Sequence, residues 1–453
     1  MKTTCTLNVY FMDPWDFIDQ DFSEIKSIIE GNDCTLEKVL VHPQFRIAFR
    51  RQLEQLILYL SANLTKIFDI AFSDITEDNA EIVSGAVFCL STPVISFTNS
   101  FPSNQEFLQK ISNFLNSEYS PSKASTFAMI FTSIVNSTTG LIIISLPEKE
   151  KLIPNLLLHY QDPPILSCLS TILNSNDVPI INFREINKTI PTIFNSLKPD
   201  DESYNAIIFN LLNDVSKNNP RSILSIATLD TVKRLYEIGF QSNSPNSPKA
   251  LLLLLNICKS LQDSRNSQTY KNVTEYLFSN SDEICSFIQN GPDFTISKSN
   301  ATDIVVYFIS QVTDNLEKFS QLPIYYFRKL FEYPTNSILH HLFIVLFKYL
   351  FFEVDDSSLE EMIKKIPIAF KEYKTINATY WYHLYQATQL ICNYKKEPKD
   401  DENWNEYMNT IYKTFGEISR ANYGGDLPQI DNEYEYYEEE EEEDFETDED
   451  ESQ

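Results

Sequence analysis

Glycine is the residue this chain almost does without: there are 8 in 453 positions. Tight β-hairpins and phosphate-wrapping loops place residues at positive φ, where glycine alone sits without strain. A sheet-based fold or a phosphate-cradling enzyme is therefore a poor fit. Helices joined by Pro, Asn and Ser turns need far less glycine. The 43% hydrophobic content supplies enough apolar side chain for an extensive interior. A chain this long exceeds one compact core, so several domains or one elongated helical repeat array is expected.

Helical spacing dominates from about residue 34. In "FRIAFRRQLEQLILYL" the apolar residues Phe45, Phe49, Leu53, Leu56, Ile57 and Leu60 recur at three- and four-residue steps, which places them on one helical face. Pro43 stands where a first-turn proline belongs. Further amphipathic segments are "EFLQKISNFLNS", "PSKASTFAMIFTSIVN", "EKLIPNLLLHYQ", "PPILSCLSTILN", "YNAIIFNLLNDVS", "PKALLLLLNICKSLQ", "ATDIVVYFISQVTDNL" and "PIYYFRKLFEY", many bounded by Pro, Asn or Ser. Helix pairs recur at roughly 40–45 residues, the range of HEAT and armadillo units, which bury their faces against neighbours. The expected fold is an all-α solenoid of such pairs over residues 34–425, after an N-terminal segment 1–33.

Charge is unevenly spread. Of a net −28, 15 acidic residues fall from Asp431 onward, where there is no Lys or Arg. The stretch 426–453 reads as a disordered acidic tail that cannot bury a core. Thr447 in "TDED" fits an acidophilic kinase site. Neither body nor tail has the basic footprint of a nucleic-acid binder. Seven scattered cysteines without a CxxC pair suit a reduced compartment. No signal peptide is evident in "MKTTCTLNVYFMDPWDF", and no apolar run approaches the roughly 20 residues that cross a bilayer. The expectation is a soluble protein of the cytoplasm or nucleus.

Catalytic signatures are missing: the sequence has no GxGxxG, GxxxxGK[ST], GxSxG or HExxH. His42, His159 and His383 stand apart from any nucleophile motif. In "FEYPTNSILHHLFIVLFKYLFF" the adjacent His340 and His341 would point about 100° apart on a helix, against the i, i+4 spacing of paired metal ligands. Lys348 interrupts the greasy run, so a membrane span is not expected. Pro323 opens a helix, Pro334 stops it, and Asn336 or Ser337 caps the next, giving a tight helix–helix turn. "QSNSPNSPK" (241–249) reads as a loop, with Ser247-Pro248-Lys249 either a plain turn or a proline-directed kinase site. Arg46, Arg50 and Arg51 form a basic cluster in an acidic protein. It is either a solvated face paired with Glu54 or nearby carboxylates, or a contact for an acidic partner.

The order of these segments resembles the SAPS family, phosphatase-associated proteins that act as regulatory subunits of protein phosphatase 6 and its fungal counterpart. "CTLEKVLVHPQFRIAFRRQLEQLILYLS" and "NLTKIFDIAF" resemble the family's opening helices, with Thr35, Leu36, Leu40, Arg50, Leu53 and Ile57 on the pattern. The 331–341 stretch is similar to the family's FFKYPWNNFLH, retaining Phe331, Tyr333, Pro334, Asn336, Leu339 and His340, with Thr335 in place of tryptophan. "YWYHLYQATQLICN" resembles GYMGHLTRIANCI, keeping His383, Leu384, Ala387 and Ile391, and Trp404 sits where the family has a late tryptophan.

The resemblance implies a non-catalytic regulatory subunit that binds a 2A-like serine/threonine phosphatase catalytic subunit of the protein phosphatase 6 type. A further regulatory subunit can join such a complex. No cofactor, nucleic acid or membrane is expected, and any dinuclear metal centre would belong to the partner. Two rivals are a HEAT/armadillo-like adaptor for transport or tethering, and an enzyme whose His340 and His383 meet a carboxylate in a pocket.

Overall fold

Backbone capping explains how the chain folds with so little glycine. Asn104, Ser120, Asp201, Thr228, Ser267, Thr295, Asn336 and Asp401 each accept a hydrogen bond from the main-chain N–H three residues on, each opening a helix. Proline occupies the first position of the helices that start at Pro121 and Pro163. The computed structural model describes residues 21–117, 120–241, 244–262, 265, 267–291, 293–311, 315–371, 378–394, 398 and 401–420. Among these there is no strand, and the protein is all-α. The acidic stretch 426–453, Thr447 and residues 1–20 lie outside the described residues. The described helices fall into two compact units, one through Leu322 and one from Pro323.

The first unit opens with α1 (Ser23–Glu30), α2 (Leu36–Leu40) and α3 (Phe45–Arg50). Among the described residues helical packing thus begins at Ser23, because α1 lies on α2 and on α4 (Glu54–Ala62). Next come α5 (Leu64–Ala71) and α6 (Ala80–Ser91); α7 (Ile95–Thr98), α8 (Gln105–Leu115) and α9 (Pro121–Ser137); then α10 (Leu141–Ser145), α11 (Leu152–Leu158) and α12 (Pro163–Asn174). They are followed by α13 (Val178–Ile186), α14 (Thr189–Asn195) and α15 (Glu202–Asn218). The unit ends with α16 (Leu229–Tyr236), α17 (Ser247–Leu261), α18 (Gln268–Ser279), α19 (Ser281–Gln289) and α20 (Ile296–Ile309).

From α4 to α15 the helices follow one another in groups of three, and short α7 and α10 each precede two longer members. Third members pack in succession, α6 on α9, α9 on α12, α12 on α15, and onward through α17 to α20. Second members do the same from α5 through α8 and α11 to α14. Polar side chains tie neighbours together at a matching sequence interval. Asn155 donates to Asn116 39 residues back, Lys110 to Asp69 41 back and Ser133 to Ser91 42 back. Asn256 donates to Asn213 43 back and Tyr307 to Cys258 49 back. Phenylalanine fills the interior: rings touch continuously from Phe45 and Phe49 through Phe97, Phe101, Phe107 and Phe68.

Three sequence expectations need correction here. "FRIAFRRQLEQLILYL" is two helices, broken between α3 and α4, with Gln52 at φ 57°. Leu53 N–H reaches Ala48 O and Gln52 N–H reaches Phe49 O, a Schellman closure made without glycine or asparagine. Pro43 lies in the turn before α3, not in its first turn. Ser247 is not in a loop: it begins α17, is only 6% exposed, and donates its hydroxyl to Gly239 O at 2.7 Å. In the folded chain that hydroxyl is buried and already engaged.

The second unit holds α21 (Gln321–Glu332), whose first two residues precede the unit boundary, α22 (Ser337–Leu350), α23 (Asp356–Lys371), α24 (Trp381–Asn393), α25 (Glu402–Tyr407) and α26 (Lys413–Arg420). Pro323 is the third residue of α21 and not its opener, and Asn336 caps α22 as expected. Packing of α22 on α24 and of α23 on α25 encloses Phe327, Phe343, Phe347 and Phe370.

Candidate partner-binding surface

Three arginines stand out in sequence, and the structure treats them differently. Arg46 and Arg50 are exposed on α3, four residues and thus about one turn apart. Both guanidinium carbons sit over one ring, Phe88 of α6, at 5.1 and 5.3 Å from its centroid. Arg46 Nη2 also donates to Ser84 Oγ at 2.9 Å. Neither of these two residues forms an ion pair with Glu54 or another carboxylate among the described residues. Arg51 is half-buried at the end of α3 and is engaged in contacts of its own.

The ring beneath the arginines is fixed from behind. Phe88 meets Phe45 and Phe49 edge-on, each at 6.1 Å, and Phe49 meets Phe97 at 5.3 Å. One glycine sets the distance between layers. A Cβ on Gly85 would lie 2.6 Å from Leu40 O and 3.0 Å from Leu40 Cβ, so α6 approaches α2 more closely than any other residue permits. That approach brings α3 within reach of Ser84 and Phe88. Sequence spacing gave no hint of Phe88 or Ser84, which lie about forty residues away. Gly85 was the available signal, being a glycine inside an apolar helix of a chain that rarely uses one.

The family-like residues of the second unit converge on a junction, not a pocket. His340 is fully buried; its Nε2 lies 2.9 Å from Tyr333 O and its Nδ1 3.2 Å from Thr379 Oγ1. A carbonyl only accepts, so Nε2 carries the proton and Nδ1 receives the threonine hydroxyl. Thr379 N–H donates to Pro334 O at 2.8 Å, clamping the α21–α22 turn to the segment that leads into α24. Phe331 and His340 both pack edge-on against Tyr380, and His383 lies 5.8 Å from His340, ring to ring. Leu339 is buried one residue before His340, and Trp404 is buried against Tyr407.

Burial holds the imidazole of His340 below its ordinary pKa, with the Tyr333 and Thr379 contacts pulling weakly the other way. Burial does the same to His383, reinforced by any charge on His340 or His341. Burial thus disfavours the charged form of both rings, which serve as packing elements. Among the described residues no group of three His, Cys, Asp or Glu side chains is set to hold a metal ion. His42 and His159 each lie near one carboxylate, Glu24 at 4.0 Å and Asp162 at 3.8 Å.

Cys168 and Cys258 are buried, and burial pushes both thiols up to about 12, away from nucleophilic character. Two surface cavities, of about 680 Å³ beside α9 and about 570 Å³ between α17, α19 and α20, contain no histidine or cysteine. Among the described residues no single helix is long and apolar enough to cross a membrane. No family model, curated protein or solved structure matches this chain.

Proposed function

We propose that the chain is a non-catalytic regulatory subunit of a 2A-like serine/threonine phosphatase of the protein phosphatase 6 type, holding the catalytic subunit and directing it to substrates or locations. One observation carries this reading. The two stretches most like the SAPS family, 331–340 and 380–393, are some forty residues apart in sequence, yet His340 of the first and His383 of the second lie ring to ring at 5.8 Å, with Phe331 packed on Tyr380 beside them. Colinear likeness alone could be accidental; likeness concentrated in side chains that touch is what a common fold would preserve.

The recurring triplets from α4 to α15 favour an armadillo-type solenoid for that part of the chain. Stacked short helices present a continuous face and suit protein recognition. Arg46, Arg50 and Arg51 supply the basic contact for an acidic partner surface. In this reading the catalytic metals reside in the partner, the chain needs no cofactor, and it works in the cytoplasm or nucleus, with room for a third subunit.

Affinity purification of the tagged chain from its native cells at moderate salt, followed by mass spectrometry, tests the proposal. Recovery of a 2A-like phosphatase catalytic subunit is expected. Recovery of transport receptors or coat components without any phosphatase would move the chain to the adaptor class.

A further inference from the structure

Two like charges on adjacent turns of one helix repel, and among the described residues no carboxylate pairs with either in a chain of net charge −28. Arg46 and Arg50 nevertheless face the same ring, and no carboxylate among the described residues neutralises either one. Phe88 and the Phe45–Phe49 pair behind it hold the guanidiniums in place before any ligand arrives, which lowers the ordering cost of binding. Arg46 commits one donor to Ser84, and among the described residues the other N–H groups of these two exposed guanidiniums make no hydrogen bond.

We propose that Arg46 and Arg50 form a clamp for the phosphoryl group of a phosphorylated serine or threonine in a partner protein. A carboxylate has two oxygens and satisfies one guanidinium fork. A phosphoryl group has three terminal oxygens and a charge of about −1.5 to −2, so it accepts from two forks at once. Ile47, 38% exposed and next to Arg50 on the helix surface, offers an apolar contact for a residue beside the phosphorylated one. The clamp rests on the regulatory-subunit reading for where its partner comes from, since a phosphatase subunit meets phosphorylated segments. The binding chemistry itself requires no phosphatase.

The test is fluorescence anisotropy with the purified full chain and a labelled Ala/Gly peptide of about ten residues bearing phosphoserine followed by leucine. Versions with serine or glutamate in place of phosphoserine serve as comparisons. The phosphoserine peptide binds at least about tenfold more tightly than either, the difference one charge-assisted hydrogen bond provides. Inorganic phosphate at millimolar concentration competes. Arg46→Ala with Arg50→Ala removes the preference. The Arg46→Lys, Arg50→Lys pair keeps charge and stem packing but loses most of the preference, because the forks are gone.

Equal affinity for serine and phosphoserine overturns the clamp. So does a glutamate peptide that matches phosphoserine, or a preference that survives either double variant at unchanged helicity. Failure here with a phosphatase still co-purifying retires the clamp alone. Phosphopeptide capture by a chain that recovers no phosphatase retires the proposed function and leaves the clamp standing.

Discussion

Replacing His340 by alanine probes the junction where it is most tightly specified. The imidazole is fully buried and contacts Tyr380 and His383, so its removal leaves a void costing about 2 kcal/mol or more. The two hydrogen bonds are not lost equally. Tyr333 O still accepts Asn336 N–H at 3.1 Å, whereas Thr379 loses the acceptor for its hydroxyl, worth about 1 kcal/mol. The expected destabilisation is therefore about 3 kcal/mol, a factor of roughly 150 in the folding equilibrium of this region. His340→Phe fills the void but faces a carbonyl and a hydroxyl with a ring, and should cost about 1–2 kcal/mol. Exposed His341→Ala should stay within about 0.5 kcal/mol.

Urea unfolding followed by tryptophan fluorescence is a suitable assay. Two of the three tryptophans, Trp381 and Trp404, belong to the second unit, and Trp381 lies 4.5 Å from the Tyr380 ring. A loss below about 1 kcal/mol for His340→Ala would refute the claim that this histidine holds the α21–α22 turn to α24.

Two further outcomes follow from the same geometry. His340 and His383 have folded pKa values below the ordinary histidine value of about 6.5, so the unfolded chain binds protons more readily; stability is complete above that pH and declines as pH falls below it. The fluorescence-detected urea midpoint should fall between pH 7 and pH 5 in the natural chain and fall less in His340→Phe, and a pH-independent midpoint would contradict this. Gly85→Ala should destabilise by about 1–2 kcal/mol despite alanine's helix preference of up to about 1 kcal/mol, because the added Cβ meets the main chain of α2. Hydrogen exchange should quicken over residues 36–50 in that variant, and a net stabilisation would show that the close approach is absent.

What could be read from sequence depended on whether the cause was local. "PPILSCLSTILN" announces α12 from end to end, since Pro163 supplies a preset φ and the apolar spacing continues to Asn174. The α21–α22 turn was legible for the same reason, with Pro334 stopping one pattern and Asn336 capping the next. Gln52 was not legible: its left-handed backbone is imposed by the Schellman closure, and glutamine carries no turn signal. Ser247 misled because Ser, Pro and Asn mark turns, while its burial comes from Gly239, a contact that spacing cannot reveal. The basic cluster was visible as three arginines. That two of them share a ring from another helix is a tertiary fact.

The central claim is that this chain holds a 2A-like phosphatase catalytic subunit and performs no chemistry itself. Sedimentation of the purified chain mixed with a purified protein phosphatase 6 type catalytic subunit tests it most directly. The account predicts a one-to-one complex with a dissociation constant of about 1 μM or tighter, equivalent to about −8 kcal/mol. Two species that sediment independently at tens of times that concentration would contradict it.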